Sequence, residues 1–324
     1  MKAALVEAWG RAPVYTDYPE PTPRDGAVVA EVEASALTNL TRGLVSGKHY
    51  ASNELTLPVI PGVDGIARLD DGRRVYTGAL APYGMMAERT LISPHGSFEL
   101  PHGVDSVTAA AIPNPGVSAW LALEHAAAVK PGDHVLVLGA TGVTGSMAVQ
   151  LAASVFGAGK VVVAGRNSDR LDWLREAGAH DAIALGTDDL SARITAMHAE
   201  RPFDAVLDYL WGSPTETVLT ALAASHPAAH YHATRFVQIG SMAGPTITLD
   251  AGIVRGTGIT MCGVGIGSVP PEALGRARAE ALPRLFEMVA AGQLELSTQV
   301  RPLAEVESAW ATAEPSGTRV VLTP

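Results

Sequence analysis

Between residues 135 and 264, short apolar runs alternate with longer segments of helical periodicity. The runs are Val135–Leu138, Lys160–Gly165, Asp181–Leu185, Ala205–Tyr209, Phe236–Gly240 and Ile259–Val264. The helical segments between them are Ser146–Phe156, Asp169–Ala177 with Ser168 as its cap, Asp188–Ala199 and Pro214–Ala224. Runs that are apolar throughout, rather than at every second position, suit strands buried on both faces. Strand-helix alternation of this regularity predicts a parallel, doubly wound sheet.

The flanks read differently. Residues 1 to about 100 carry short apolar or alternating stretches, Lys2–Ala8, Ala27–Ala36 and Arg73–Thr77, punctuated by Pro and Gly. After about residue 268 a helix, Glu272–Ala291, leads into further short extended pieces. The expectation is an α/β protein of two domains. A Rossmann-type doubly wound parallel sheet spans 115–267, and a mainly β domain is assembled from 1–114 and 268–324.

The first strand of the alternating series ends in Ala140-Thr141-Gly142-Val143-Thr144-Gly145. On the dinucleotide fingerprint, Ala140 takes the first glycine's place, Gly142 lets the backbone approach a pyrophosphate, and Gly145 lets the next helix pack on the strand. The helix amides then face anionic oxygens. An NAD site places an acid at the end of the second strand, to hold the ribose 2'-hydroxyl. Here that strand runs into Arg166-Asn167-Ser168, with Arg170 a helical turn on. Guanidinium groups suit a 2'-phosphate, which points to NADPH. The competing reading makes Arg166 a solvated loop residue.

Composition excludes several classes. A net charge of -10 leaves no basic surface to follow a nucleic-acid backbone. The single cysteine, Cys262, excludes an internal disulfide framework and a four-cysteine zinc lobe, and its apolar run suggests a buried small hydrophobe. No apolar run approaches the ~20 residues of a membrane helix. The opening MKAALVEAWG lacks a signal peptide's apolar core, so the expected location is cytoplasmic. His226, His230 and His232 cluster without a nearby acid or cysteine, and read as a surface loop rather than a metal site.

The chain resembles the medium-chain dehydrogenase/reductases, in their zinc-independent quinone oxidoreductase branch. The resemblance runs through MKAALVEAWG, PGVDGIAR (61–68), YGMMAERTLI (83–92), NPGVSAWLAL (114–123), LGATGVTGSMAVQLA, FDAVLDYLWG (203–212), FVQIGSMAG (236–244) and the closing GQLELSTQVRPLAEVESAW and TRVVL. It implies a GroES-like catalytic domain beside the dinucleotide domain. Zinc-dependent relatives carry a cysteine and a Gly-His-Glu motif, where this chain has SALTNLTRG (35–43) and Val63-Asp64. The departure implies reduction of a quinone or related conjugated carbonyl by NADPH without a metal.

Candidate catalytic residues follow from the same resemblance. The family's Val-Asn-Pro-x-Asp loop aligns with Leu37–Thr41, leaving Asn39 and Thr38 as rivals for the asparagine's role. Tyr50 lies one residue late against the tyrosine of enoyl-thioester reductases, so an enone or enoyl-type double-bond reductase with Tyr50 as proton donor stands as the alternative. A non-catalytic NADPH-binding protein is the reading of another class. Ser118 faces the nicotinamide in the resemblance, or caps a helix. Asp208 belongs to the loop beneath the cofactor, or caps a turn. Gly240, Ser241, Gly265 and Ile266 follow later strands, where an open sheet meets its ligand or simply turns. The glycine-rich run 257–267 is expected to end the sheet and pair with a second copy, giving a homodimer.

Overall fold

A computed structural model describes residues 1–24, 26–225 and 231–324, and only the backbone of Tyr50. The chain separates into two compact units, Met1–Asn114 with Arg284–Pro324, and Pro115–Pro283.

The first unit contains β1 (Lys2–Leu5), β2 (Val14–Asp17), β3 (Val28–Ala36), β4 (Asp64–Arg68), β5 (Arg74–Gly78), β6 (Arg89–Ile92) and β7 (Phe98–Glu99). The central unit contributes β8 (His134–Leu138), β9 (Lys160–Gly165), β10 (Asp181–Ala184), β11 (Ala205–Asp208), β12 (Ala233–Gln238) and β13 (Gly258–Gly263). The chain returns to the first unit for β14 (Ser297–Pro302) and β15 (Thr318–Thr323). The units do not divide at 268, because the first part of the helical run from Pro271 to Ala290 belongs to the central unit. The division falls inside it, between Pro283 and Arg284.

In the first unit β1 and β2 form a two-stranded sheet, and β1 also bridges to Ala87. The larger sheet has the order β14-β15-β3-β4-β5-β7, with β6 also on β3. Leu37, Ile60, Ile66, Met85, Met86, Leu91 and Ile92 are fully buried there. Among the described residues no helix is long and apolar enough to cross a membrane.

The six strands of the second unit are all parallel, in the order β10-β9-β8-β11-β12-β13. The order reverses between β8 and β11, so the sheet has a switch point there. All five residues of β8 are buried. On one face Leu136, Leu138, Val162, Val206 and Phe236 meet Ile194 and Met197 of the helix Leu190–Glu200, and Val218, Leu219 and Leu222 of the helix Gly212–Ala224. Each such aliphatic or aromatic side chain contributes about 1.5–3 kcal/mol by leaving water. Strand β13 ends the sheet, and its pattern is largely exposed. Cys262 sits on this edge strand and is half-buried rather than buried, because β13 ends the sheet among the described residues.

Candidate functional site

The turn after β8 is sharper than the fingerprint places it. Gly139, not Ala140, takes the left-handed conformation, at φ +80. Gly139 and Ala140 both donate to Ala164 O, at 2.9 and 3.0 Å, which ties the turn to the end of β9. Gly142 then donates to Gly139 O at 3.1 Å and caps the helix Val143–Ser154 without a side-chain cap hydrogen bond. A β-carbon on Gly145 would lie 2.4 Å from Gly139 O and 2.8 Å from the Ala140 Cα. Helix and strand can therefore meet only through a glycine. A β-carbon on Gly142 would meet nothing closer than Gly139 O at 3.4 Å, so the backbone there stays open on its outer side. Val143, Thr144 and Gly145 open the helix, whose first amides lack partners within it. A helix end with open amides and no acid on it suits a pyrophosphate.

At the end of β9 the residues divide. Arg166 and Asn167 are exposed. Asn167, not Ser168, caps the next helix: its side chain accepts from Arg170 N at 2.9 Å, and the helix begins at Ser168. Arg170 lies over the Trp173 ring, 4.0 Å from its centroid. Its Nε and one Nη are buried and have no hydrogen-bond partner among the described residues. Burial alone lowers its pKa. A guanidinium held flat, desolvated and short of acceptors suits a phosphate. The Arg-x-x-Trp spacing, i to i+3 on one helix face, was the sequence signal for the stack.

Asp208 is wholly buried at the end of β11. Its Oδ1 accepts from Leu210 N at 2.8 Å and Trp211 N at 3.1 Å, and its Oδ2 from Thr215 Oγ1 at 2.5 Å. Its carboxylate therefore caps the turn, and burial raises its pKa despite these donors. The turn needs the support. Trp211 has φ +55 and ψ -168, a region that favours glycine, and its side chain packs on the core of the sheet. Nothing in the sequence signals that conformation.

Beyond β12, Gly240 N–H donates to Asp208 O at 3.1 Å, and a β-carbon there would sit 2.7 Å from Tyr209 O. Ser241 is exposed. Gly265 and the exposed Ile266 form a separate turn, in which Gly265 N–H donates to Ser268 Oγ at 2.8 Å. Ser118 is the sixth residue of the helix Pro113–Leu121 and half-buried, so it caps nothing.

In the first unit Thr38 caps the helix Asn39–Val45: its Oγ1 accepts from Thr41 N at 3.1 Å and pairs with Thr41 Oγ1 at 3.1 Å. Asn39 is the first residue of that helix and exposed. The backbone of Tyr50 opens the 3-10 turn Tyr50–Glu54, and its side chain lies outside the described residues. Asp64 accepts from Tyr76 Oη at 2.5 Å, and Val63 carries no ligand atom. His226 and His230 lie outside the described residues. His232 lies in the loop before β12, but it does have an acid near it, contrary to expectation, with Nε2 3.3 Å from Asp204 Oδ1. Among the described residues no three His, Cys, Asp or Glu side chains group as metal ligands.

Comparison with known proteins agrees with this architecture. Residues 143–281 match the family model described as zinc-binding dehydrogenase. The chain is 26% identical to the probable NADPH-dependent quinone reductase tdiC of Emericella nidulans along the whole of both chains. It is 29% identical to the human quinone oxidoreductase over 65% of this chain and 66% of that one. The solved quinone oxidoreductase of Thermus thermophilus, described with its NADPH complex, superposes over the whole of both chains with a TM-score of 0.82 at 28% identity. In sequence and in fold the chain resembles the quinone oxidoreductases of the medium-chain dehydrogenase/reductase superfamily.

Proposed function

We propose that this chain is an NADPH-dependent oxidoreductase acting on a quinone or related conjugated carbonyl, working without zinc as a homodimer. The observation that carries the cofactor is Arg170, with two buried guanidinium nitrogens short of acceptors beside the end of β9. The open backbone at Gly142 and the lack of a side-chain cap on the helix behind it support a pyrophosphate at the turn. The names of the relatives support the acceptor class.

When bound, NADPH supplies the hydride, and the protein supplies position and donors. Amides of Val143 and Thr144 hold the pyrophosphate beside the open backbone at Gly142, Arg170 and Arg166 the 2'-phosphate, and Asp208 fixes the turn from Tyr209 to Gly212. Ser118, Thr38, Asn39 and Tyr50 are the proposed residues of the reacting end. Metal-bound alkoxide has no part in the proposal, because Val63 lacks a ligand atom and the Asp64 carboxylate is taken by Tyr76.

Titration of NADPH and NADH against the parent, Arg166→Ala and Arg170→Ala tests the cofactor. The parent prefers NADPH, and Arg170→Ala loses about 10- to 100-fold of that preference, the worth of a charge-assisted hydrogen bond. An acceptor screen follows. Equal affinity for both dinucleotides in the parent, or no NADPH oxidation with any quinone, overturns the reading.

A further inference from the structure

Tyr209 is the first residue beyond β11. Its backbone N–H donates to Leu138 O at 3.1 Å, which holds it beside the end of β8. A β-carbon built on Gly139 would lie 3.2 Å from the Tyr209 Cβ. Tyr209 therefore stands where the strand order reverses, against the residue that makes the sharp turn. The pleat fixes its direction. Val206 belongs to the core beside the helix Gly212–Ala224, and Asp208 reaches Thr215 of that helix. Alternation turns Tyr209 to the opposite face.

The residue is only 7% exposed, and its hydroxyl is buried with no hydrogen-bond partner among the described residues. A buried hydroxyl without an acceptor costs free energy, and nearly all such groups in folded proteins are satisfied. Phenylalanine would fill the same volume without that cost. Burial also raises the phenol's pKa, so the group stays protonated and keeps a proton to donate. The missing component is a partner for this hydroxyl, on a residue whose backbone and Cβ stand between β8 and β11.

We propose that the Tyr209 hydroxyl donates a hydrogen bond to an oxygen of the ribose-pyrophosphate part of the bound dinucleotide, and so helps to position it over the glycine turn. The assignment rests on the NADPH reading above. It gives Tyr209 a binding role and no proton transfer.

Tyr209→Phe tests it by two measurements, NADPH and NADH titration and thermal melting of the free protein. The variant binds both dinucleotides about 10-fold more weakly, because the ribose-pyrophosphate is common to both. The free variant melts at the parent's temperature or above it, since an unsatisfied hydroxyl is gone. A free variant that melts lower shows that the hydroxyl already has a partner, a water or a protein group, and overturns the proposal. Parent and variant binding NADPH equally well also overturns it. A parent that binds neither dinucleotide overturns the cofactor reading and this assignment with it.

Discussion

The side chain of Thr141 fills the space over Gly165: a β-carbon built on the glycine would lie 2.3 Å from Thr141 Cγ2 and 2.8 Å from its Oγ1. The glycine turn and the end of the neighbouring strand are thus fitted to each other through one methyl-sized gap. Gly165→Ala is expected to cost about 1–3 kcal/mol, the usual cost of overpacking, and to weaken NADPH binding by displacing the turn. In a Thr141→Ala background the same change costs less, since both crowded atoms are gone. Urea denaturation of the four proteins gives the coupling, and simple additivity would contradict the fit.

His134 gives the protein an acid-sensitive joint. Its ring is fully buried against Phe203, with centroids 4.1 Å apart, and Nδ1 lies 2.9 Å from Arg201 O. Burial, then the charges of Lys160 and Arg201, lower its pKa. The unfolded chain therefore takes up a proton more readily than the folded one. Stability is full above the ordinary histidine pKa of about 6.5 and falls as pH drops below it, by at most about 1.4 kcal/mol per pH unit. Thermal melts from pH 8 to pH 5 should show the decline, and His134→Gln should flatten it.

Arg319 ties the two ends of the first unit together. It is 3% exposed, donates to Leu37 O at 2.9 Å, and lies 3.4 Å from Glu314 Oε2. Burial lowers its pKa and raises that of Glu314. Arg319→Met leaves a carboxylate short of its partner and is expected to cost about 3 kcal/mol. Adding Glu314→Gln should recover part of the loss. Chemical denaturation reads both, and a double variant weaker than the single one would contradict the pairing.

The edge of the parallel sheet predicts assembly. Met261 on β13 is 37% exposed, with Ile266 beyond it at 53%. Light scattering should give about twice one chain's 33.6 kDa. Met261→Lys places a charge on the pairing edge and should shift the population to monomers. A monomeric parent would remove the dimer from the proposal.

The parallel sheet was readable because its central strands β8 and β9 are buried on both faces, so VLVL and VVVA stand out as unbroken apolar runs. The order of the strands and the cap at Asn167 were less accessible. Ser168 and Asn167 are both capping residue types, and only backbone geometry chooses between them. The fingerprint placed the sharp turn at Ala140, because a motif counts positions and φ is invisible in a sequence. Asp208 offered a turn-capping carboxylate whose partner, Thr215, lies seven residues on. The buried guanidinium of Arg170 and the unpartnered hydroxyl of Tyr209 depend on what surrounds them, which no local pattern encodes. The division within the helix from Pro271 to Ala290 was hidden for a related reason, since a continuous helix carries no compositional break.

The pairing of β15 with β3 has a consequence for how the chain is made. Its partners, Val321 with Ala36 and Leu322 with Ser35, are separated by nearly the whole sequence. The unit Pro115–Pro283 is contiguous and is synthesised entire before β14 and β15 are translated. The nascent chain therefore carries the whole sequence of the dinucleotide-type domain alongside an amino-terminal portion that still lacks its last two strands. Until they arrive, β3 lacks its β15 partner, and that exposed backbone is what a chaperone would find to bind.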